Sequence, residues 1–142
     1  IPGENVRVLG FEVRQFASAR QEILQTMVDL QAELTPDLVL MPSVDDLHQD
    51  HYTIAMEGLR AFKRGSILAY EVPWNNIQFR TECFVSVDDE AVEAKVRAIG
   101  CYASQGHRLY SDPEYIRSQL RFRGTQSGQR YAEAFDVVRW IL

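Results

Sequence analysis

The 142-residue chain has only two cysteines, Cys83 and Cys101, too few to staple a fold of this length with disulfides. Cys83 falls in an apolar strand-like run and Cys101 on the apolar side of a helix, so both are expected to be buried free thiols. A reducing, cytoplasmic setting follows from that expectation. No stretch approaches the roughly 18–20 consecutive apolar residues that a membrane span requires. The opening residues, Ile1-Pro2-Gly3-Glu4-Asn5, lack the basic-then-apolar pattern of a secretion signal. Basic charge is also short: 15 Lys and Arg stand against 20 Asp and Glu, a net charge of −5. That balance argues against a nucleic-acid partner, because a duplex binder needs a basic face to displace counterions. Repeats and low-complexity segments are absent. An initiating methionine is missing too, and the chain enters strand-like sequence almost at once, so it is expected to be a piece of a longer polypeptide.

What is present fits one domain over residues 1–142 with a single core: 46% of residues are hydrophobic and 25% charged. Strand-like and helix-like segments alternate, which predicts an α/β fold of the Rossmann-like layered kind, with a mostly parallel sheet and helices on both faces. Val6–Phe16 alternates as a strand. Ser18 opens a helix, with Gln21 three residues on as a capping box, and Ala19, Ile23, Met27, Leu30 and Leu34 form its apolar stripe. After Thr35-Pro36-Asp37, the run Leu38-Val39-Leu40-Met41 reads as a buried strand. Further strands are predicted at 67–72, 82–87 and 137–141. Helices are predicted from near His51 to Arg64, from Asp88 or Asp89 onward, and from Asp112-Pro113 to about Phe122, with a loop over 123–129.

The residues that can carry chemistry cluster in Asp45-Asp46-Leu47-His48-Gln49-Asp50-His51. This run follows a buried strand and precedes a helix, the place where open α/β sheets bind ligands. Imidazole and carboxylate together suit zinc and related divalent ions. The histidines are three apart across a loop-to-helix junction, and Gln49 and Asp50 stand between them. A zincin protease, with histidines four apart in a helix and a glutamate after the first, is therefore excluded. On spacing alone the run is equally readable as a helix start with a capping acid and surface histidines. A different metal site, with Asp45, Asp46 and His107 joining His51, is a further arrangement open to these residues.

The order of several segments narrows the choice. Pro36-Asp37-Leu38-Val39-Leu40, Asp46-Leu47-His48-Gln49-Asp50-His51 and Tyr70-Glu71-Val72-Pro73 come first. Cys101-Tyr102-Ala103-Ser104-Gln105 follows, then Arg123-Gly124-Thr125-Gln126-Ser127-Gly128 running into Tyr131-Ala132-Glu133-Ala134-Phe135. In this order they resemble the C-terminal two-thirds of LmbE-like deacetylases, the family that includes the GlcNAc-phosphatidylinositol de-N-acetylases. The resemblance implies zinc-dependent hydrolysis of an N-acetyl group on a sugar or glycoconjugate. By motif position it makes His51 the zinc ligand, His48 the histidine that stabilises the oxyanion or protonates the leaving amine, and Asp50 the acid that holds and tunes His48. The family's first motif, Ala-His-Pro-Asp-Asp-Glu, is absent; Ser86-Val87-Asp88-Asp89-Glu90 shares only its last three letters and reads as a strand end and helix cap. Two expected zinc ligands and the general base are therefore missing, and the expectation is a partial active site. The alternative is a non-catalytic α/β segment with a binding or assembly role. Trp74, Gln105, Arg123 and Tyr131 are candidate sugar-binding residues, while Asp45 and Asp46 are expected to be solvent-facing turn residues.

Overall fold

The computed structural model describes residues 3–142, with only the backbone of Glu4. In chain order the elements are α1 (Arg20–Leu34), β1 (Leu38–Pro42), α2 (Gln49–Ala61), β2 (Ser66–Tyr70), β3 (Cys83–Ser86), α3 (Asp89–Gly100), α4 (Pro113–Ser127) and β4 (Ala132–Arg139). Short 3-10 turns occupy Gly3–Asn5, Ala103–Gln105 and Leu109–Ser111. The four strands form one sheet in the order β1-β2-β4-β3.

The predicted α/β architecture holds, with a sheet that is mixed rather than mostly parallel. β1 and β2 run parallel, Leu40 opposite Leu68, joined through α2. β4 enters beside β2 in the opposite direction, and β3 pairs antiparallel on the far side of β4. The length of connection explains the difference: a parallel pair needs a crossover such as α2, whereas β4 returns straight from the end of α4.

Helices cover both faces. A Cβ built on Gly58 of α2 would lie 2.9 Å from the Met41 sulfur, so α2 presses on the face to which Met41 points. Strand alternation sends Leu40 to the opposite face, where it lines a cavity with Gln119 and Leu120 of α4. On that face Val92 of α3 packs with Ile116 and Leu120 of α4. α1 lies against α2, burying Ile23 and Leu24 and half-burying Met27 and Leu30, so its stripe includes Leu24 and loses Leu34 to solvent.

Several expectations need correction. Val6–Phe16 forms no strand. Val8 is 92% exposed, and Arg14 has φ +70°, which breaks any extended run. Alternating apolar residues do not make a strand without a neighbour to pair the backbone, and here no strand lies beside them. The capping box at Ser18 and Gln21 does not form either. α1 starts at Arg20, after Ala19, without a side-chain cap. The loop expected over 123–129 is helical through Ser127, and Gly128 ends α4 at φ +71°. Gly124 is in the helix because only a residue without Cβ fits there: a Cβ would sit 2.7 Å from the carbonyl oxygens of both Gln129 and Arg130 as the chain turns back toward β4. Of the two thiols, Cys83 is half-buried and Cys101 is exposed rather than buried. No helix among the described residues is long and apolar enough to cross a membrane.

Candidate active site

β1 delivers the chain to a tight polar loop, and the loop is built around one carboxylate. Asp46 is 4% exposed. Its Oδ1 accepts the His48 backbone N–H at 2.7 Å, and its Oδ2 lies 2.8 Å from His51 Nδ1. Ser43, also buried, supports the turn, its hydroxyl accepting the Asp45 N–H at 3.1 Å and its carbonyl the Asp46 N–H at 3.2 Å. Asp46 is therefore not the solvent-facing turn residue expected from its neighbours, although Asp45 is exposed. An Asp accepting the backbone N–H two residues on is a standard turn device, so the Asp46-x-His48 spacing carried this signal. The negative charge at Asp46, after burial itself, also raises the pKa of the Tyr70 phenol.

The two imidazoles are held in different ways. His51 gives its Nδ1–H to Asp46, which leaves the Nε2 lone pair for a ligand, the arrangement that metal-binding histidines use. Asn75 Nδ2 also approaches His51 Nδ1, at 3.4 Å, but the carboxylate is closer and is the stronger acceptor. His48 caps α2: its Nδ1 accepts the Asp50 backbone N–H at 3.2 Å, so the ring proton belongs on Nε2. The rings stack with centroids 4.6 Å apart and planes 27° from parallel.

Asp50 is buried, but its carboxylate does not reach the His48 ring as the tuning role required. Oδ2 accepts the Arg14 backbone N–H at 2.6 Å, while Oδ1 is buried with no hydrogen-bond partner among the described residues. The contact between Asp50 and His48 runs through Asp50's backbone instead. Position near the helix start decides this, because a residue in the first turn points back toward the preceding segment, here the Arg14 loop.

Both rings open on a cavity of about 470 Å³. Its other walls are Arg14, Val72, Trp74, Asn75, Gln105, Arg108 and Tyr110. Leu47 N–H donates to the Asn75 carbonyl at 3.2 Å, and Val72 N–H to Asn76 Oδ1 at 2.7 Å, which ties the Trp74 turn to the histidine loop. Trp74 is 61% exposed and tilts against Tyr110, with centroids 5.9 Å apart. Of the sugar-binding candidates, Trp74 and Gln105 line this cavity and Arg123 and Tyr131 do not. Arg123 donates to both Glu71 oxygens across the sheet's other face, at 3.0 Å from Nε. Tyr131 lies under Arg121 and Arg130 beside α4. Exposed His107 is not part of the wall either. Arg14, Asn75, Arg108 and Tyr110 escaped the sequence reading. Arg14 was hidden inside a false strand; the others lie in loops whose course no periodicity fixes.

The donors here do not by themselves fit a catalytic zinc, which takes three protein ligands and a water. Among the described residues, no three His, Cys, Asp or Glu side chains converge on a point that could hold a metal.

No protein-family model matches the chain, and neither does any curated protein sequence. Its fold does match solved structures. One is the zinc-inhibited form of teicoplanin deacetylase Orf2, with a TM-score of 0.67 at 21% identity over 99% of this chain and 59% of that one. Another is the N,N'-diacetylchitobiose deacetylase of Pyrococcus horikoshii, with a TM-score of 0.61 at 20% identity over 84% of this chain and 51% of that one. A third is GalB, the 4-carboxy-2-hydroxymuconate hydratase of Pseudomonas putida KT2440, with a TM-score of 0.65 at 23% identity over 86% and 60%. The chain thus has the α/β fold of solved carbohydrate deacetylases. It spans about three fifths of the length of Orf2 and GalB and about half of the chitobiose enzyme. A hydratase on the same fold means that the fold alone does not choose the reaction.

Proposed function

We propose that this chain carries part of the active site of a zinc-dependent carbohydrate N-deacetylase acting on an N-acetylated sugar or glycoconjugate. The observation that carries the reading is the histidine pair. Two imidazoles at the mouth of one strand are held in opposite tautomers by Asp46 and by the start of α2, and face one cavity beside an exposed tryptophan. The fold shared with two deacetylases supports it.

In this reading His51 supplies one zinc ligand, and the donors that complete the set are not among the described residues. Amide hydrolysis adds water to the acetyl carbonyl, breaks the C–N bond and leaves acetate and a protonated amine. His48 suits the proton-donating half of that reaction. Its Nε2–H faces the cavity and can stabilise the oxyanion, then protonate the departing nitrogen. No carboxylate lines the cavity to serve as the base for water. Trp74 offers an apolar face for a sugar ring.

The test is acetate release from N-acetylated sugars by the full-length protein, with metal content measured alongside. His51→Ala is expected to lose metal and activity together. His48→Ala is expected to keep the metal and lose rate; loss of metal from this variant would reverse the division of roles. Absence of both metal binding and acetate release would favour the non-catalytic binding or assembly reading.

A further inference from the structure

We infer that the cavity beside His48 and His51 selects acetylated sugars bearing an anionic group, a phosphate or a carboxylate, through Arg14 and Arg108. This inference rests on the deacetylase reading and names a substrate class for the same site.

Charge pairing is the first observation. Arg7, Arg20, Arg60, Arg80, Arg117, Arg123 and Arg130 each pair with a carboxylate. Arg14 and Arg108 line the cavity and make no such pair among the described residues, and no Asp or Glu is in the cavity wall. In a chain of net charge −5, a cavity walled by two unpaired guanidiniums runs against the general trend. Such a cavity concentrates anions locally.

The second observation is how Arg14 is placed. Its φ of +70° is a left-handed conformation that a residue with a Cβ rarely adopts. Two hydrogen bonds to the start of α2 hold it there: its N–H donates to Asp50 Oδ2 at 2.6 Å, and its carbonyl accepts Gln49 Nε2 at 2.7 Å. Strain held by neighbouring structure marks sites where position matters. Buried Asp50 is thereby occupied with the Arg14 backbone and stands outside the cavity wall. Arg108 is set differently, its guanidinium carbon 6.0 Å from the Trp74 ring centre. A guanidinium over an indole keeps its edge N–H groups for a planar or tetrahedral oxyanion. A sugar ring on Trp74 would place an anionic substituent within reach of this edge.

The test is calorimetric titration of the full-length protein with four probes: methyl N-acetyl-β-D-glucosaminide, N-acetylglucosamine 1-phosphate, N-acetylmuramic acid and glucose 1-phosphate. At least one anionic acetylated sugar is expected to bind about tenfold tighter than the neutral glycoside; which one does so separates phosphate from carboxylate. The gap should narrow as salt rises from about 50 mM to about 500 mM. Arg108→Gln and Arg14→Gln should each remove most of the gap and leave the neutral glycoside unaffected, whereas Arg108→Lys should keep part of it. Equal binding of neutral and anionic acetylated sugars would overturn the inference and leave the deacetylase reading standing. So would a gap that survives the Arg14→Gln/Arg108→Gln double variant. Glucose 1-phosphate binding as tightly as its acetylated counterpart would keep the anion site and remove the acetyl-sugar reading. No binding of any probe would remove both.

Discussion

Two polar cavities on this molecule invite comparison, and they treat charge in opposite ways. The smaller, of about 270 Å³, lies between the sheet and α4 and holds Glu71, Arg123, Lys95 and Glu133. There every charge has its opposite. Glu71 pairs with Arg123, their side chains only 12% and 13% exposed, and Lys95 pairs with Glu133 at 2.8 Å. In the histidine cleft Asp46 is committed to holding His51, while Arg14 and Arg108 are left without carboxylates. A self-neutralised cavity holds elements together; one with charge left over has something to offer a ligand.

Breaking each cavity should therefore show on different instruments. The largest expected effect is in the closed cavity. Arg123→Ala removes the partner of a mostly buried carboxylate and should cost about 3 kcal/mol in urea unfolding, with Glu71 keeping only Gln119 Nε2 at 3.2 Å. Arg108→Ala, by contrast, should change stability by less than about 0.5 kcal/mol while binding in the cleft falls. If both variants destabilised equally, the contrast would fail. Next in size is Asp46→Asn, which removes the carboxylate that fixes the His51 tautomer. A 10–100-fold loss of metal affinity or acetate release is the order expected for such a supporting group. Asp45→Asn, one residue away and exposed, is the control and should leave both unchanged.

The comparison also explains what could be read from sequence. The helix–turn–strand unit α1–β1 and the α2, α3 and α4 starts were legible because periodic apolar residues, Asp88, Asp112 and Pro113 write their instructions within a few positions. The histidine loop was legible because it is contiguous. What escaped depends on distant parts of the chain. Gly124 looks like a loop residue until the Arg130 and Gln129 carbonyls are seen beside it. Val6–Phe16 alternates correctly but has no strand to pair with. Arg123 looked like a ligand-binding arginine in a loop, and its commitment to Glu71, 52 positions away, is set by tertiary packing. Arg14 is the converse case, a site residue hidden in an apparent strand.

Arg14 gives a way to separate function from stability at one position. Glycine tolerates φ +70° without a Cβ penalty, so Arg14→Gly should relieve about 1 kcal/mol of backbone strain, partly offset by the unfolded chain's added freedom. Thermal unfolding should show stability equal to or slightly above the parent. The anionic preference of the cleft should fall nonetheless. A clear loss of stability would mean that the side chain, not the backbone clamp, holds this loop.

The smallest effect is a pH dependence in the sheet, outside both cavities. Asp136 on β4 is 1% exposed, and its Oδ1 has no hydrogen-bond partner among the described residues. Burial raises its pKa from the ordinary 3.8, outweighing the opposing pull of Arg80, and the nearby Glu82 carboxylate pushes the same way. A carboxyl with a raised folded-state pKa binds its proton more tightly folded than unfolded. Its favourable contribution is therefore full below the ordinary pKa and is lost as pH rises through the folded value. Asp136→Asn cannot ionise, and its amide can donate to Glu82. Relative to the parent, the variant should gain stability between acid and neutral pH, by about 1 kcal/mol if the shift is near one pH unit. The difference should shrink as both proteins are taken into acid. Urea midpoints measured across that range check this, and a difference independent of pH would assign the effect to packing rather than to the proton.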